Sequence, residues 1–157
     1  MTRVRDIMTS AVVTVGPGLT IREAAELLAS RHISGAPVVD HGRVVGLITA
    51  TDILDFVAGL PGVPPELVDD TEWNALEEHT VDEAMTNAPL HTLPPDATAR
   101  EAAEMMQKED IHRVVVMEGE RLAGVVSTLD ITRALAQRLP AARTYVFGHP
   151  GNSEVRR

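Results

Sequence analysis

Cysteine is absent from the 157-residue sequence, which removes disulfides, thiolate nucleophiles and cysteine metal sites together. Aromatic residues make up only 3%, so the core is aliphatic and stacking platforms for single-stranded nucleic acid are scarce. Positive charge is short as well: 14 Lys and Arg against 23 Asp and Glu give a formal net charge of −9. Neutralising nucleic-acid phosphates needs a basic surface, so no nucleic-acid partner is expected. No apolar run approaches the roughly 20 residues of a membrane helix. The opening Met1-Thr2-Arg3-Val4-Arg5-Asp6 lacks the apolar stretch of a signal peptide. A cytoplasmic setting without a membrane partner is therefore the expectation. Catalytic signatures are missing too. There is no His-Glu-x-x-His, Walker loop or Gly-x-Ser-x-Gly elbow, and the six histidines show no metal-ligand spacing. The chain reads as a non-enzyme with no metal site and no catalytic residues.

What the sequence does contain is itself, twice. Setting residue n against n+78 pairs Arg22-Glu23-Ala24-Ala25-Glu26 with Arg100-Glu101-Ala102-Ala103-Glu104. It also sets Gly46-Leu47-Ile48-Thr49-Ala50-Thr51-Asp52-Ile53 on Gly124-Val125-Val126-Ser127-Thr128-Leu129-Asp130-Ile131. Such a period points to two copies of one supersecondary unit, each covering the other's apolar face. In each copy a β-branched strand, near Val12–Val15 or Leu90–Leu93, precedes a capping box, Thr20/Glu23 or Thr98/Glu101. The helix that follows carries its apolar residues at buried-stripe spacing, and Met105 and Met106 read as core filler. Residues 33–37 read as a turn into a hairpin reversing at Asp40-His41-Gly42, and Thr51 or Asp52 as the cap of a second helix. In the second copy the last helix is expected from about Leu129 to Leu139.

Four segments follow: a first unit at 1–60, a connector at 61–79, a second unit at 80–139 and a loose tail at 140–157. The connector holds three prolines and six acids with no Lys or Arg. One short helix is expected there around Pro65 to Leu76, with Trp73 either tucked against the body or set at a partner contact.

Asp6 to Thr9, the run Ser34-Gly35-Ala36-Pro37-Val38-Val39 and the two octets, repeated in register, resemble CBS domains, and the tandem resembles a Bateman module. The resemblance implies an α+β fold: two β-α-β-β-α units packed sheet to sheet as a pseudo-two-fold pair with two clefts between them, and a homodimer. It further implies a regulatory module that binds AMP, ADP or ATP, or S-adenosylmethionine, with no prosthetic group, and signals to an unidentified protein partner. The family's Gly-x-x-Thr/Ser-x-x-Asp pattern falls on Thr49 and Asp52 and on Ser127 and Asp130. A carboxylate there suits ribose hydroxyls, and hydroxyls with helix N-terminal amides suit phosphate. The same residues also make an ordinary helix N-cap. Adenine needs an apolar slot, for which Val12 and Leu90, with Thr14 and Thr92 on the same strands, and the turn at Ala36-Pro37 are candidates. By the family's pattern Asp52 joins Thr49, Thr51, His112 and Arg113, whereas Asp130 joins Ser127, Ser34, Gly35 and Ala36. Arg113 would then equip the Asp52 cleft for phosphate, and the Asp130 cleft would be weaker or adenosine-like. The competing reading is a structural dimerisation module with empty clefts.

Overall fold

In the computed structural model the described residues are 1–59, 74 and 76–138. The expected connector helix with Trp73 falls mostly outside them, and the tail does so entirely. In chain order the elements are α1 (Val4–Ile7), α2 (Ile21–Ser30), β1 (Gly35–Asp40), β2 (Arg43–Thr49), α3 (Ala50–Gly59), α4 (Val81–Ala84), β3 (Thr86–Asn87), β4 (Thr92–Leu93), α5 (Ala99–Glu109), β5 (Arg113–Glu118), β6 (Arg121–Ser127) and α6 (Thr128–Arg138).

Helix α2 starts where its first turn is satisfied. Thr20 Oγ1 accepts from the Glu23 N–H at 3.1 Å, and Glu23 Oε2 accepts from the Thr20 N–H at 2.9 Å. Thr98 and Glu101 repeat this box at α5, at 3.1 and 2.6 Å. The backbone bond from Thr20, followed by its hydroxyl, holds the Glu23 carboxyl below its ordinary value, and Thr98 does the same for Glu101. Ile21, Ala24 and Leu28 bury the inner stripe of α2; Ala102 and Met106 do so for α5.

Strands β1 and β2 form an antiparallel hairpin closed at Asp40 and Arg43. His41 at φ 48° and Gly42 at φ 77° supply the left-handed pair that a two-residue reversal requires. The hairpin of β5 and β6 repeats the pairing, down to a register shift at the equivalent step, Val38/Val39 and Val116/Met117, but its reversal at Gly119-Glu120 has only Gly119 at positive φ, 64°.

Two expected elements differ. The strand near Val12–Val15 shrinks to one parallel bridge, Val15 to Val38, because Val12 and Val13 line a cleft instead of a sheet edge. Only Thr92–Leu93 of the second such strand pairs, parallel to β5. The expected turn at 33–37 is strand from Gly35 onward. Pro37 is tolerated there because its flank faces that rudimentary edge: the Pro37 carbonyl accepts from the Val15 N–H at 3.1 Å, where no further ladder demands an N–H from the ring nitrogen.

The copies also exchange their openings. Val4 of α1 is fully buried with Ala102, Met106, Val114, Val116 and Val126 of the second copy. Val81 of α4 is fully buried with Ile21, Val38 and Ile48 of the first. Strand β3 extends the first copy's sheet beside β2, and Thr9 pairs with Val125 through two bonds, Thr9 N–H to Val125 O at 2.9 Å and Val125 N–H to Thr9 O at 3.0 Å. Gly46 and Gly124 make room for these guests: an added Cβ would lie 2.7 Å from the Thr86 or Thr9 carbonyl oxygen. The α+β pair is thus stitched by reciprocal strand and helix exchange. Each hydrophobic core contains residues from both copies.

Candidate functional site

At the C-terminal end of β2 the chain passes directly into α3. Thr49 Oγ1 accepts from the Asp52 N–H at 3.1 Å, while Asp52 Oδ2 accepts from the Thr49 N–H at 2.8 Å and its hydroxyl at 2.9 Å. Ser127 and Asp130 repeat this at α6, at 3.3, 2.8 and 2.8 Å. The caps are therefore Thr49 and Ser127, and each helix starts earlier than expected from Thr51, Asp52 or Leu129, because the carboxylate three residues on closes the box. Both acids are half-buried, and among the described residues their Oδ1 atoms have no bonding partner.

Two cavities flank the seam. The first, about 460 Å³, brings together Thr49, Thr51, Asp52, Leu90, His112 and Arg113. The second, about 490 Å³, brings together Val12, Ser34, Gly35, Ser127, Asp130 and, again, His112 and Arg113. Four expected residues line neither. Ala36 and Pro37 are buried in β1, opposite Ile48 and Leu47, while Thr14 is exposed next to the Val15 bridge and Thr92 is exposed within β4.

Arg113, the first residue of β5, crosses the seam. Its Nη2 donates to Ser34 Oγ at 2.7 Å. Gly35 leaves the space, since a Cβ there would stand 1.9 Å from Arg113 Nη1. Burial holds the guanidinium below its ordinary pKa, and the charge of Asp52 acts in the opposite sense. The expectation that Arg113 serves the Asp52 cleft alone does not match this placement, because its hydrogen-bond partner lies on the wall of the other cavity. Asp110 in the first cleft and His32 and Arg133 in the second were not expected as lining residues. The n+78 pairing sets His32 on Asp110, two residues that line opposite clefts, whereas Asp55, the counterpart of Arg133, lines neither cleft.

Among the described residues no group of His, Asp or Glu is arranged to hold a metal ion, and no helix is long and apolar enough to cross a membrane. A capped carboxylate with one unengaged oxygen, an apolar wall and a guanidinium can hold a polar ribose-bearing ligand.

The family model for the CBS domain matches residues 4–59 and 81–137. The chain belongs to the CBS domain family, as a tandem pair. Protein MJ1404 of Methanocaldococcus jannaschii is 34% identical over 139 residues, 86% of this chain and 32% of the relative. MJ1232 of the same organism is 27% identical over 139 residues, 88% of this chain and 41% of the relative. The chain thus spans well under half the length of these curated relatives. Among solved structures, the CBS domain pair of protein MJ0100 in complex with 5′-methylthioadenosine and S-adenosyl-L-methionine is 29% identical, with a TM-score of 0.73, covering 88% of this chain and 99% of that one.

Proposed function

We propose that the protein is a cytoplasmic, non-catalytic sensor whose seam clefts bind adenosine-containing ligands (AMP, ADP, ATP or S-adenosylmethionine) and pass the resulting change to a partner. The observation that carries this reading is the pair of half-buried carboxylates, each pinned through Oδ2 to its own helix cap with Oδ1 left for a ribose. A fixed acceptor costs little ordering when a ligand arrives. The complex of the MJ0100 pair with two adenosine compounds supports the same ligand class. Because each cavity is walled by both copies, a ligand bound there favours whichever relative placement of the copies it fits best, which is a population shift. The test is a thermal-shift series with millimolar AMP, ATP and S-adenosylmethionine. A rise in Tm with at least one supports the reading, and no rise with any of them contradicts it.

A second reading, a dimerisation module, draws on exposed leucines. Leu54 on α3 is 67% exposed, and Leu129 and Leu135 on α6 are 54% and 61% exposed. Such side chains suit a homodimer interface. Sedimentation of the wild type beside Leu135→Glu tests it: a wild-type dimer lost in the variant, with no ligand shift in either, supports the dimerisation reading alone, and a monomeric wild type contradicts it.

A further inference from the structure

The two clefts are close in volume and share the capped carboxylate, but their charges are reversed. In the first, Asp52 and Asp110 face one guanidinium, Arg113. In the second, Asp130 faces two, Arg113 and Arg133; each cleft also has two histidines, His91 and His112 in the first and His32 and His112 in the second, so the difference lies in the acids and guanidinia. The reversal sits at positions related by the repeat. His32 and Asp110 occupy equivalent sites and share a left-handed backbone, both at φ 52°. Arg133 on α6 is the counterpart of Asp55 on α3. Arg133 is exposed and has no hydrogen bond or ion pair among the described residues, so its charge is available to a ligand. Arg113 leans the same way through Ser34.

We infer that the Asp130 cleft takes adenosine ligands bearing 5′-phosphates, with Arg133 as the specificity-determining residue, whereas the Asp52 cleft takes adenosine ligands whose 5′ group is neutral or cationic. This assignment rests on the adenosine reading above and refines it. The physical reason is local. In a protein of net charge −9, the overall field opposes a polyphosphate, so only a cleft with surplus guanidinium holds one. Two guanidinia can share the phosphate oxygens in forked contacts. In the first cleft the second carboxylate repels the same group and leaves room for a positive one.

The test is calorimetric titration of the full chain with ATP and, separately, with adenosine, for the wild type, Arg133→Ala, Asp52→Asn and Asp130→Asn. ATP is expected to bind at one cleft per chain. Arg133→Ala should weaken ATP about tenfold, the lower range for one charge-assisted contact, and leave adenosine within about twofold, since an uncharged ligand has no Coulomb term to lose. Asp130→Asn should weaken ATP about tenfold as its ribose contact is lost, and Asp52→Asn should leave ATP within about twofold. ATP held by Arg133→Ala as tightly as by the wild type, with adenosine still bound, overturns the assignment but not the adenosine reading. ATP lost in Asp52→Asn and retained in Asp130→Asn overturns it equally. If neither ATP nor adenosine binds the wild type, and AMP and S-adenosylmethionine give no thermal shift, the adenosine reading itself falls.

Discussion

The exchange of openings makes a sharp demand on two glycines. In Gly124→Ala the new Cβ would stand 2.6 Å from Met8 Sδ and 2.7 Å from the Thr9 carbonyl oxygen. Met8 can swing aside, but the Thr9 backbone cannot do so freely. Two hydrogen bonds tie it to Val125, at 2.9 and 3.0 Å. Ordinary contact begins at 3.4 Å, so the strands must part by about 0.7 Å. Overpacking of this kind costs about 1–3 kcal/mol. For a chain of this size each kcal/mol lowers Tm by about 2–4 °C, so a fall of about 2–12 °C is expected. Gly46→Ala should behave alike, because Met85 Sδ and the Thr86 carbonyl oxygen lie at 2.5 and 2.7 Å from its Cβ. Gly35→Ala is the control. Its closest clash is with the flexible end of Arg113, and the nearest backbone atom, the Ile48 carbonyl oxygen, lies at 3.1 Å, so a smaller loss than for Gly124→Ala is expected. Thermal melts followed by circular dichroism decide the matter. Equal melting of Gly124→Ala and the wild type would refute the exchanged-strand account.

Val4→Ala removes two methyls from a fully buried site in the second copy's core, and a loss of about 1–3 kcal/mol is expected in urea unfolding. Hydrogen exchange should show that loss in β5 and β6 before β1 and β2. Thr49→Ala should cost about 0.5–2 kcal/mol as a lost cap; it also frees Asp52, so adenosine affinity at the first cleft should fall in titration. Glu23 and Glu101 have folded pKa values below the ordinary 4.5. Their contribution is therefore present above that value and is lost as pH falls through the lower folded values. In acid unfolding monitored by circular dichroism, a Glu23→Ala, Glu101→Ala double variant should be less stable than the wild type at neutral pH, and the difference should shrink as pH falls below about 4.5.

Much of this architecture was legible because the repeat states each rule twice. Thr20/Glu23 and Thr98/Glu101 announce their helices, and His41-Gly42 announces a hairpin, through local chemistry that needs no tertiary information. The octets marked the ends of β2 and β6 for the same reason. What escaped was decided by distant contacts. Nothing near Val4 or Val81 says that each belongs to the other copy's core, since a buried valine reads the same whichever partner buries it. The near-loss of the strand at Val12–Val15 reflects competition between a sheet edge and a cleft wall. Ala36 and Pro37 looked like a turn beside a ligand because proline usually ends strands, whereas here its bare nitrogen meets an edge with no ladder to satisfy. Arg113 could be placed at the seam from the sequence, but its lean toward Ser34 depends on the space left by Gly35, 78 residues earlier.

The central claim is that the carboxylates of Asp52 and Asp130 each hold a ribose in a cleft shared by both copies. Titration of the wild type with adenosine, beside the single Asp→Asn variants and their double, tests it most directly. Two binding events per chain are expected, one for each cavity, with each single variant weakening one of them about tenfold and the double variant weakening both. Adenosine heats that are absent in the wild type, or unchanged in the double variant, would contradict it.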